Sequence, residues 1–380
     1  SYAQLRLGST PMSKSRRQFL EASLAACLSA SFPVSQVLAL NLFSEDEREQ
    51  EMAKRSAALH ILRLASPYPA DQSDFIPHMH QVFKENVESM TRGKIYVDIH
   101  HSGSLGSGRE LMAAVTRGYV EVALISMSNL SRALPVLDIL NIPFWASSNR
   151  AFLNLICSPQ WQSLVIKPIS EQGKLNILMH HLVGGRTLTS TKQFNRLINL
   201  PEKLKGVVLR VPASKVLSHF YSMTSANVID VPWAQVAKMA RKKHIEVIDP
   251  SVVGLFAGPD LLKNEIGQIA LLESVPDAWV TVANQHWLDG LPLRLKGEIE
   301  DAGKQTFHTH IAQIEQLQKR CERELMALGA KLHPLSVDEK REWQLRFGHH
   351  NAQWNKVKRE LLGSTRAFQQ LVNATEKEFI

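Results

Sequence analysis

The feature that most constrains the fold is an alternation of strand and helix patterns that occurs twice. In the first copy, extended apolar runs alternate with apolar residues at helical spacing, and a glycine ends each helix. Alternation at this spacing predicts a parallel sheet covered by helices. The predicted elements are strands at 60–65, 94–99 and 120–125 and helices at 74–90 and 109–116.

The second copy precedes a helical C-terminal region. Strands are predicted at 172–182, at Leu188, and at 207–211, 226–231 and 245–249, with helices at 214–223 and 233–242. From Leu288 onward the pattern is almost wholly helical, and it includes long amphipathic runs from Leu293 to Leu328 and from Val337 to Leu362. About 340 residues outside the N-terminal segment are too many for one compact core. We therefore expect two α/β domains.

The first 39 residues have the composition of an export signal. A twin-arginine sequence, Ser15-Arg16-Arg17-Gln18-Phe19-Leu20, precedes an apolar stretch from Ala22 to Leu40. Val37-Leu38-Ala39 places small residues where a signal peptidase cleaves. We expect residues 1–39 to be a twin-arginine signal peptide, residues 40–58 to be a linker, and the protein to act in the bacterial periplasm.

Two other interpretations of this segment stay open. Leu24-Ala25-Ala26-Cys27 resembles a lipoprotein cleavage site, which would leave a lipid on Cys27. The other is a retained membrane anchor, although Glu21 and Pro33 interrupt the apolar run and the run is short for a bilayer span. The rest of the sequence has no long apolar run, so we expect no stable membrane insertion after cleavage.

The charge of the chain argues against nucleic acid as a partner. The net charge is +8, and removing the four basic residues and one acidic residue of positions 1–39 leaves 40 basic and 35 acidic residues, a net +5. These charges are dispersed, with no basic stripe interleaved with aromatic side chains. A mildly positive chain suits an anionic small molecule.

The sequence carries no signature of an enzyme, a cofactor or a metal site. It has no Gly-x-Ser-x-Gly elbow or phosphate loop, and the glycines at 103, 106 and 108 have the wrong spacing for a dinucleotide fingerprint. Its histidines lack the i, i+4 spacing with a nearby carboxylate that is typical of helical zinc sites. Cys157 and Cys321 form one pair without a motif, and whether they bond stays open. We predict a binding protein without cofactor or metal, not an enzyme.

Two arginines, Arg186 and Arg210, are placed unusually for charged residues. Each lies where an extended apolar run meets small or hydroxyl residues, without an acidic neighbour in sequence. Such an arginine either pairs with a distant carboxylate or binds an anionic ligand, whose carboxylate fits the planar guanidinium. Ligands of α/β sheets bind beyond the carboxyl ends of the strands. The candidate loops are 66–71, 102–110, 126–129, 184–190, 210–214 and 249–253.

Read in order, these segments resemble the DctP group, the extracytoplasmic binding subunits of TRAP transporters. The resemblance extends from about His60 to about His310. Leu204-Lys205-Gly206 followed by Leu209-Arg210-Val211-Pro212 is the most specific motif. The other matching segments are Ser104–Leu111, Val115–Glu121, Leu140–Phe144, Gly185-Arg186 with Thr189-Ser190, and Val231-Pro232-Trp233.

The resemblance implies a fold, a mechanism and partners. The fold is a two-domain periplasmic-binding-protein-like α/β fold of the TRAP type, with hinge strands, a long interdomain helix and a helical C-terminus. The domains would close on an organic acid and deliver it to a membrane permease with a small and a large subunit, driven by an ion gradient. The expected boundaries are 59–182 with 272–311 for domain I, 183–271 for domain II, and 312–380 for the C-terminal helices.

The resemblance also implies the site residues. The arginine that matches Arg210 holds the ligand carboxylate through two parallel bonds, and the one that matches Arg186 often assists it. Together with the candidate loops and motifs, this gives the predicted ligand-binding residues Arg210, Arg186, Trp233, Asp249, Tyr68, Glu110 and Phe144.

The sequence departs from the family where the pocket wall is expected. Gln235 replaces a usual glutamate, Ser225 replaces a usual glycine, and Ile248-Asp249-Pro250 replaces residues that often complete the pocket through Asn or Trp. The identity of the ligand therefore does not follow from the resemblance. Two alternative functions stay open: a receptor of the same fold that presents its ligand to a sensor protein, and an exported enzyme on this fold.

Overall fold

The computed structural model describes residues 44–69 and 79–378. The predicted signal peptide, the choice between cleavage at Ala39 and lipidation at Cys27, and the first turns of the helix expected from Asp74 lie outside the described residues. The chain divides into two compact units, residues 1–56 and residues 57–380. Both sheets and the candidate site lie in the second unit.

The described residues form helices and strands in an α/β order. The helices are α1 (Glu45–Ala57), α2 (His80–Met90), α3 (Arg109–Thr116), α4 (Met127–Leu130), α5 (Asn149–Ile156), α6 (Pro159–Trp161), α7 (Lys167–Glu171), α8 (Lys215–Ser222), α9 (Val236–Arg241), α10 (Val252–Ala257), α11 (Gln285–Asp289), α12 (Leu293–Ala327), α13 (Val337–Phe347), α14 (Asn355–Leu362) and α15 (Thr365–Ala374). The strands are β1 (His60–Ala65), β2 (Ile95–His100), β3 (Val122–Ser126), β4 (Leu175–His181), β5 (Leu188–Thr191), β6 (Val208–Val211), β7 (Asn227–Asp230), β8 (Val247–Ile248), β9 (Ile266–Leu271), β10 (Trp279–Asn284) and β11 (Lys331–Pro334).

These strands form two sheets. The first has the order β2-β1-β3-β10-β4, in which β1 is parallel to β2 and β3. The parallel pairing predicted for these three strands is confirmed, and β10 adds an antiparallel strand that the sequence did not predict. The second sheet has the order β11-β9-β5-β8-β6-β7, with β6 parallel to both β7 and β8. Carboxyl ends of parallel strands therefore meet at one edge of each sheet.

Two chain segments cross between the sheets, residues 182–187 and residues 272–278. The first leaves β4 and enters β5, and the second leaves β9 and enters β10. The two segments run antiparallel and bond to each other, because the amide of Arg186 donates to the carbonyl of Val275 over 2.8 Å. The crossing segments form a two-stranded connection.

A glycine allows this connection to be close. A Cβ atom on Gly185 would lie 2.8 Å from the Cα atom of Glu273 on the other crossing segment. Real Cβ atoms do not approach so closely, so a larger residue would separate the segments. Gly185 therefore fixes the position of Arg186, which follows it directly in the chain.

Helix α12 packs against both sheets. Its 35 residues span about 50 Å at the rise of an α-helix. Near its start, Ile299 packs in a cluster with Leu62 and Val97 of the first sheet. Near its end, Cys321 packs in a cluster with Ile269 of the second sheet. The long helix predicted at 293–328 is confirmed, and it links the two cores.

The C-terminal region departs from the prediction in two places. The single long run predicted from Val337 to Leu362 is wrong, because α13 ends at Phe347 with Gly348 as its C-cap and α14 begins at Asn355. The second departure is a strand that was not predicted. Strand β11 pairs parallel with β9 at the edge of the second sheet. It is short and ends in Pro334, which has no N–H to donate. A strand at the edge of a sheet tolerates proline. The apolar and polar residues of such a short strand alternate only weakly, so the sequence pattern does not distinguish it from the helices on either side.

We predict that two glycines of α12 respond oppositely to replacement by alanine. A Cβ atom at Gly303 would lie 2.6 Å from the carbonyl oxygen of Leu178 in β4. Gly303→Ala should therefore lower the free energy of unfolding by about 1–3 kcal/mol through overpacking. Gly297 has no atom within 4 Å of the same position, so Gly297→Ala should raise it by about 0.5–1 kcal/mol through helix propensity. Urea unfolding measures both, and shifts in the same direction would contradict this packing.

Candidate functional site

A small buried cavity lies where the two sheets present their strand ends. Its volume is about 20 Å³, which is room for about one water molecule. The first sheet contributes residues that follow β1 or end β3, and the second contributes residues on or after β6, β7 and β8. The lining residues are Tyr68, Ser126, Asn129, Arg186, Arg210, Pro212, Trp233, Pro250, Asp277 and Trp279.

Arg186 reaches the cavity from the first crossing segment and is held between two carboxylates. Its Nη1 lies 3.4 Å from Oδ1 of Asp249, and its Nη2 lies 3.3 Å from Oδ1 of Asp277. All three side chains are at most 4% exposed. Burial by itself lowers the pKa of Arg186, but the attraction of Asp277 and Asp249 raises that pKa above its ordinary value. Arg186 is therefore a cation that the protein itself neutralises.

Asp277 is fixed by hydrogen bonds from the residues around it. Its Oδ2 accepts from the amide and the hydroxyl of Ser251, over 2.9 and 2.8 Å, and its Oδ1 accepts from the indole of Trp279 over 3.1 Å. Ser251 is also the N-cap of α10, because its hydroxyl accepts from the amide of Gly254. The N-cap serine of α10 thus also binds the carboxylate that pairs with Arg186.

Asp249 is held differently, although it is wholly buried. Within the described part of the chain, neither of its carboxylate oxygens accepts a hydrogen bond from another residue, and its contact with Arg186 is long for a charge-assisted bond. Burial raises the pKa of Asp249 above its ordinary value, against the opposing attraction of Arg186 and Arg210. Buried polar groups are almost always bonded, so Asp249 is a costly feature that calls for a functional reason.

Arg210 lies on β6 and has no such partner. Its Nε donates to the carbonyl of Val231 over 2.9 Å, and its guanidinium carbon lies 5.2 Å from the centre of the Trp233 ring. Across residues 44–69 and 79–378, no carboxylate lies within salt-bridge distance of it, in contrast to Arg186. Burial lowers the pKa of Arg210 to about 10, with attraction to Asp249 acting against the shift. It remains a cation at neutral pH and can form new bonds through its terminal nitrogens.

Aromatic rings form the apolar walls of the cavity. The rings of Tyr68 and Trp279 lie 5.0 Å apart, and both are buried. Burial raises the pKa of Tyr68 well above its ordinary value, so its hydroxyl stays neutral. Together with Trp233, these rings keep water from the guanidinium of Arg210, which strengthens any charge-assisted bond that it makes.

Surface contacts join the two sides of the cavity. Arg109 on α3 lies 2.8 Å from the carboxylate of Asp230 at the end of β7. Nearer the cavity, the side-chain oxygen of Asn129 accepts from the amide of Ala213 over 3.2 Å. The Arg109–Asp230 pair is exposed, so it contributes little to stability.

The structure brings five of the seven predicted site residues together. Tyr68, Arg186, Arg210 and Trp233 line the cavity, and Asp249 contacts Arg186. Two others lie elsewhere: Glu110 is exposed on the first turn of α3, and Phe144 is half-buried, with its amide bonded to the carbonyl of Ser274. Neither is among the described residues that line the cavity.

Sequence reasoning missed Asp277 and Trp279. Both follow β9 in a stretch for which no strand was predicted, so no strand end drew attention to them. An acidic residue between Pro276 and an apolar run is the signal that a sequence search could have used. Ser126 and Asn129, in contrast, lie in one of the predicted loops.

The described residues offer neither a metal site nor a membrane span. Residues 44–69 and 79–378 contain no group of three or more His, Cys, Asp or Glu side chains arranged to hold a metal ion. In the same ranges, every helix is too short or too polar to cross a bilayer. Cys157 and Cys321 are not joined to each other by a disulfide bond.

A family model and solved structures match this chain. The model of the bacterial extracellular solute-binding protein family 7, DctP, matches residues 70–249. The sugar acid binding protein DctPAm from Advenella mimigardefordensis, in complex with galactonate, superposes with a TM-score of 0.74 at 18% identity, over 83% of this chain and 97% of that one. The resemblance to the DctP family is confirmed.

Further matches agree with the fold. A TRAP periplasmic solute-binding protein from Shewanella oneidensis, with bound succinate, also gives a TM-score of 0.74 at 18% identity, over 83% of this chain and 99% of that one. The 2,3-diketo-L-gulonate-binding periplasmic protein of Escherichia coli (strain K12) is 22% identical over 182 residues, which is 48% of this chain and 53% of that protein. The chain thus spans about half the length of the curated relatives it matches. Its fold is that of the TRAP periplasmic solute-binding proteins.

We predict that the two arginines contribute unequally to stability. Arg186→Ala leaves Asp249 and Asp277 buried without their cation, so the free energy of unfolding should fall by about 3–5 kcal/mol. Arg210→Ala removes a buried cation without an ion pair and should cost at most about 1–2 kcal/mol, through the bond to Val231. Urea unfolding of the ligand-free variants at pH 7 measures the difference. Equal losses would show that Arg210 has a structural partner.

Proposed function

We propose that this protein is the periplasmic solute-binding receptor of a TRAP-type transporter, exported by a twin-arginine signal. It captures an organic acid by its carboxylate group and delivers it to the small and large membrane subunits of a permease. It acts by binding and has no catalytic role. The observation that carries the proposal is Arg210, a buried cation beside the cavity that has no carboxylate within salt-bridge distance among the described residues.

The chemistry of Arg210 supports a carboxylate ligand. A guanidinium presents two parallel N–H groups, which match the two oxygens of a carboxylate. The bond from Nε to Val231 and the ring of Trp233 fix the orientation of this group before a ligand arrives. Relatives of this fold are named for carboxylate ligands, namely galactonate, succinate and glucuronate.

The cavity supports binding by domain closure. A volume of about 20 Å³ is too small for an organic acid in the described conformation. Ligand entry therefore requires the lobes to separate, and we assign the lobes to residues 59–182 with 272–311 and to residues 183–271. Rotation about the crossing segments would open the cavity, and closure would expel water from the ion pair.

We predict that an organic acid raises the melting temperature of the protein. A ligand that binds only the folded state stabilises it by about 2.7 kcal/mol at a concentration of 100 Kd. A library that includes galactonate, glucuronate, succinate and malate should contain at least one acid that gives an upward shift. The neutral sugar galactose, which lacks the carboxylate, is the control. If no acid in the library raised the melting temperature, the result would contradict a receptor for organic acids.

We predict that binding of the identified acid depends on Arg210. Arg210→Ala should weaken it at least about a hundred-fold, because a desolvated carboxylate that loses its partner costs about 3–5 kcal/mol. Arg210→Lys should weaken it by less, since an ammonium cannot form two parallel bonds. Isothermal titration calorimetry measures both. Arg294→Ala, at an exposed ion pair on α12, is the matched control and should leave Kd unchanged.

Normal binding by a folded Arg210→Ala protein would mean that another residue holds the carboxylate. Circular dichroism and the unfolding midpoint establish whether each variant is folded. The Kd of the wild-type protein for this acid should change little between low and high salt, because salt screens a buried ion pair less than a surface ion pair.

A further inference from the structure

The buried charges around the cavity cancel before any ligand binds. Arg186 and Arg210 carry two positive charges, and Asp249 and Asp277 carry two negative charges when ionised. All four side chains are at most 4% exposed or wholly buried. A net charge in a buried site is unfavourable in free energy. A ligand that brings several charges of one sign is therefore expected to bind weakly to this site.

The two arginines are not equally available to a ligand. Arg186 already lies 3.4 Å from Asp249 and 3.3 Å from Asp277, so two of its nitrogens face internal carboxylates. Among the described residues, Arg210 donates one hydrogen bond, to a backbone carbonyl. The guanidinium of Arg210 is therefore available to a ligand, whereas that of Arg186 is paired with two aspartates.

A second carboxylate on the ligand would meet like charge. Asp277 lines the cavity directly, and Asp249 precedes Pro250, which also lines it. The negative charge of Asp249 also acts on Arg210, because it opposes the lowering of the pKa of that arginine. Like charges among buried groups disfavour binding by a large factor, and such repulsion is a common source of specificity.

Asp249 has the features of the residue that imposes this selectivity. Asp277 accepts three hydrogen bonds, so its place in the fold accounts for it. Asp249 accepts none from another described residue, and its contact with Arg186 is 3.4 Å long. The hydrogen bonds of the fold therefore do not account for a charge at this position.

From these observations, and resting on the function proposed above, we propose that the receptor selects ligands with a single carboxylate group. Arg210 holds that carboxylate. Asp249, by neutralising Arg186 and by its own charge, rejects a second one. The ligand class is monocarboxylic acids, with sugar acids that carry one carboxylate as the probes to test first.

Matched pairs of acids test the proposal. Galactonate and galactarate share a six-carbon hydroxylated skeleton and differ in whether the far end is a hydroxymethyl group or a carboxylate. The pair (S)-2-hydroxybutyrate and (S)-malate differs in the same way on four carbons, with a methyl group in place of the second carboxylate. Calorimetry on the wild-type protein should show the monoacid of at least one pair binding at least about ten-fold more tightly than its diacid.

The variant Asp249→Asn separates charge from shape. It keeps the volume of the side chain, breaks no hydrogen bond of the carboxylate and releases Nη1 of Arg186. We expect the ratio of the diacid Kd to the monoacid Kd to fall by about ten-fold or more, mainly because the diacid binds this variant more tightly. Asp289→Asn removes a charge at an exposed ion pair and should keep the wild-type ratio.

The outcomes distinguish this inference from the function on which it rests. A diacid that binds the wild-type protein as tightly as its matched monoacid would overturn the selectivity but leave a receptor for organic acids. An unchanged ratio in folded Asp249→Asn would overturn the role of Asp249. A wild-type protein that binds none of the acids would overturn the proposed function and the inference together. The unfolding midpoint of Asp249→Asn, expected at or above the wild-type value, shows that the variant is folded.

Discussion

The ion pairs of Arg186 with Asp249 and Asp277 are the interaction on which the site depends. They join the first crossing segment to the second and to the end of β8, so three separate parts of the chain meet at one guanidinium. Because all three groups are buried, removal of Arg186 would leave two carboxylates without their cation, whereas removal of the Asp249 charge would leave Arg186 paired with Asp277. The position of the cavity between the sheets follows from this arrangement.

The surrounding fold brings these charges together by ordinary means. Parallel strands end at a common edge, a serine that starts α10 fixes Asp277, and a glycine lets the crossing segments approach each other. Each device satisfies a local requirement of backbone bonding or packing. The result is a small cavity in which Arg210 has no carboxylate partner among the described residues.

The sequence pattern predicted those helices and strands in which apolar residues recur at a regular spacing, together with the residues at the ends of these elements. The exposed or half-buried helices, the strands β1 to β3 and the helix α12 all repeat apolar residues at a clear spacing. Arg210 lies on the predicted strand β6, and Trp233 follows the predicted strand β7. Strands β9 and β10 were missed because both are buried on two faces and lack alternation. Asp277 was missed with them.

The pairing of Arg186 could not be predicted for a different reason. Its partners are 63 and 91 residues away in sequence, and an ion pair between such residues depends on the register of the crossing segments. The sequence left two interpretations for both arginines, a distant carboxylate or an anionic ligand. The structure gives the first to Arg186, and the geometry of Arg210 fits the second.

The lowered pKa of Arg210 has a consequence for the timing of closure. A guanidinium that is harder to keep charged in the closed conformation is better solvated when the lobes are apart. In the proposed mechanism, closure without a ligand would carry a desolvation penalty, and an anion beside Arg210 would remove that penalty. The cation proposed to bind the ligand would then also favour the open state of the free protein.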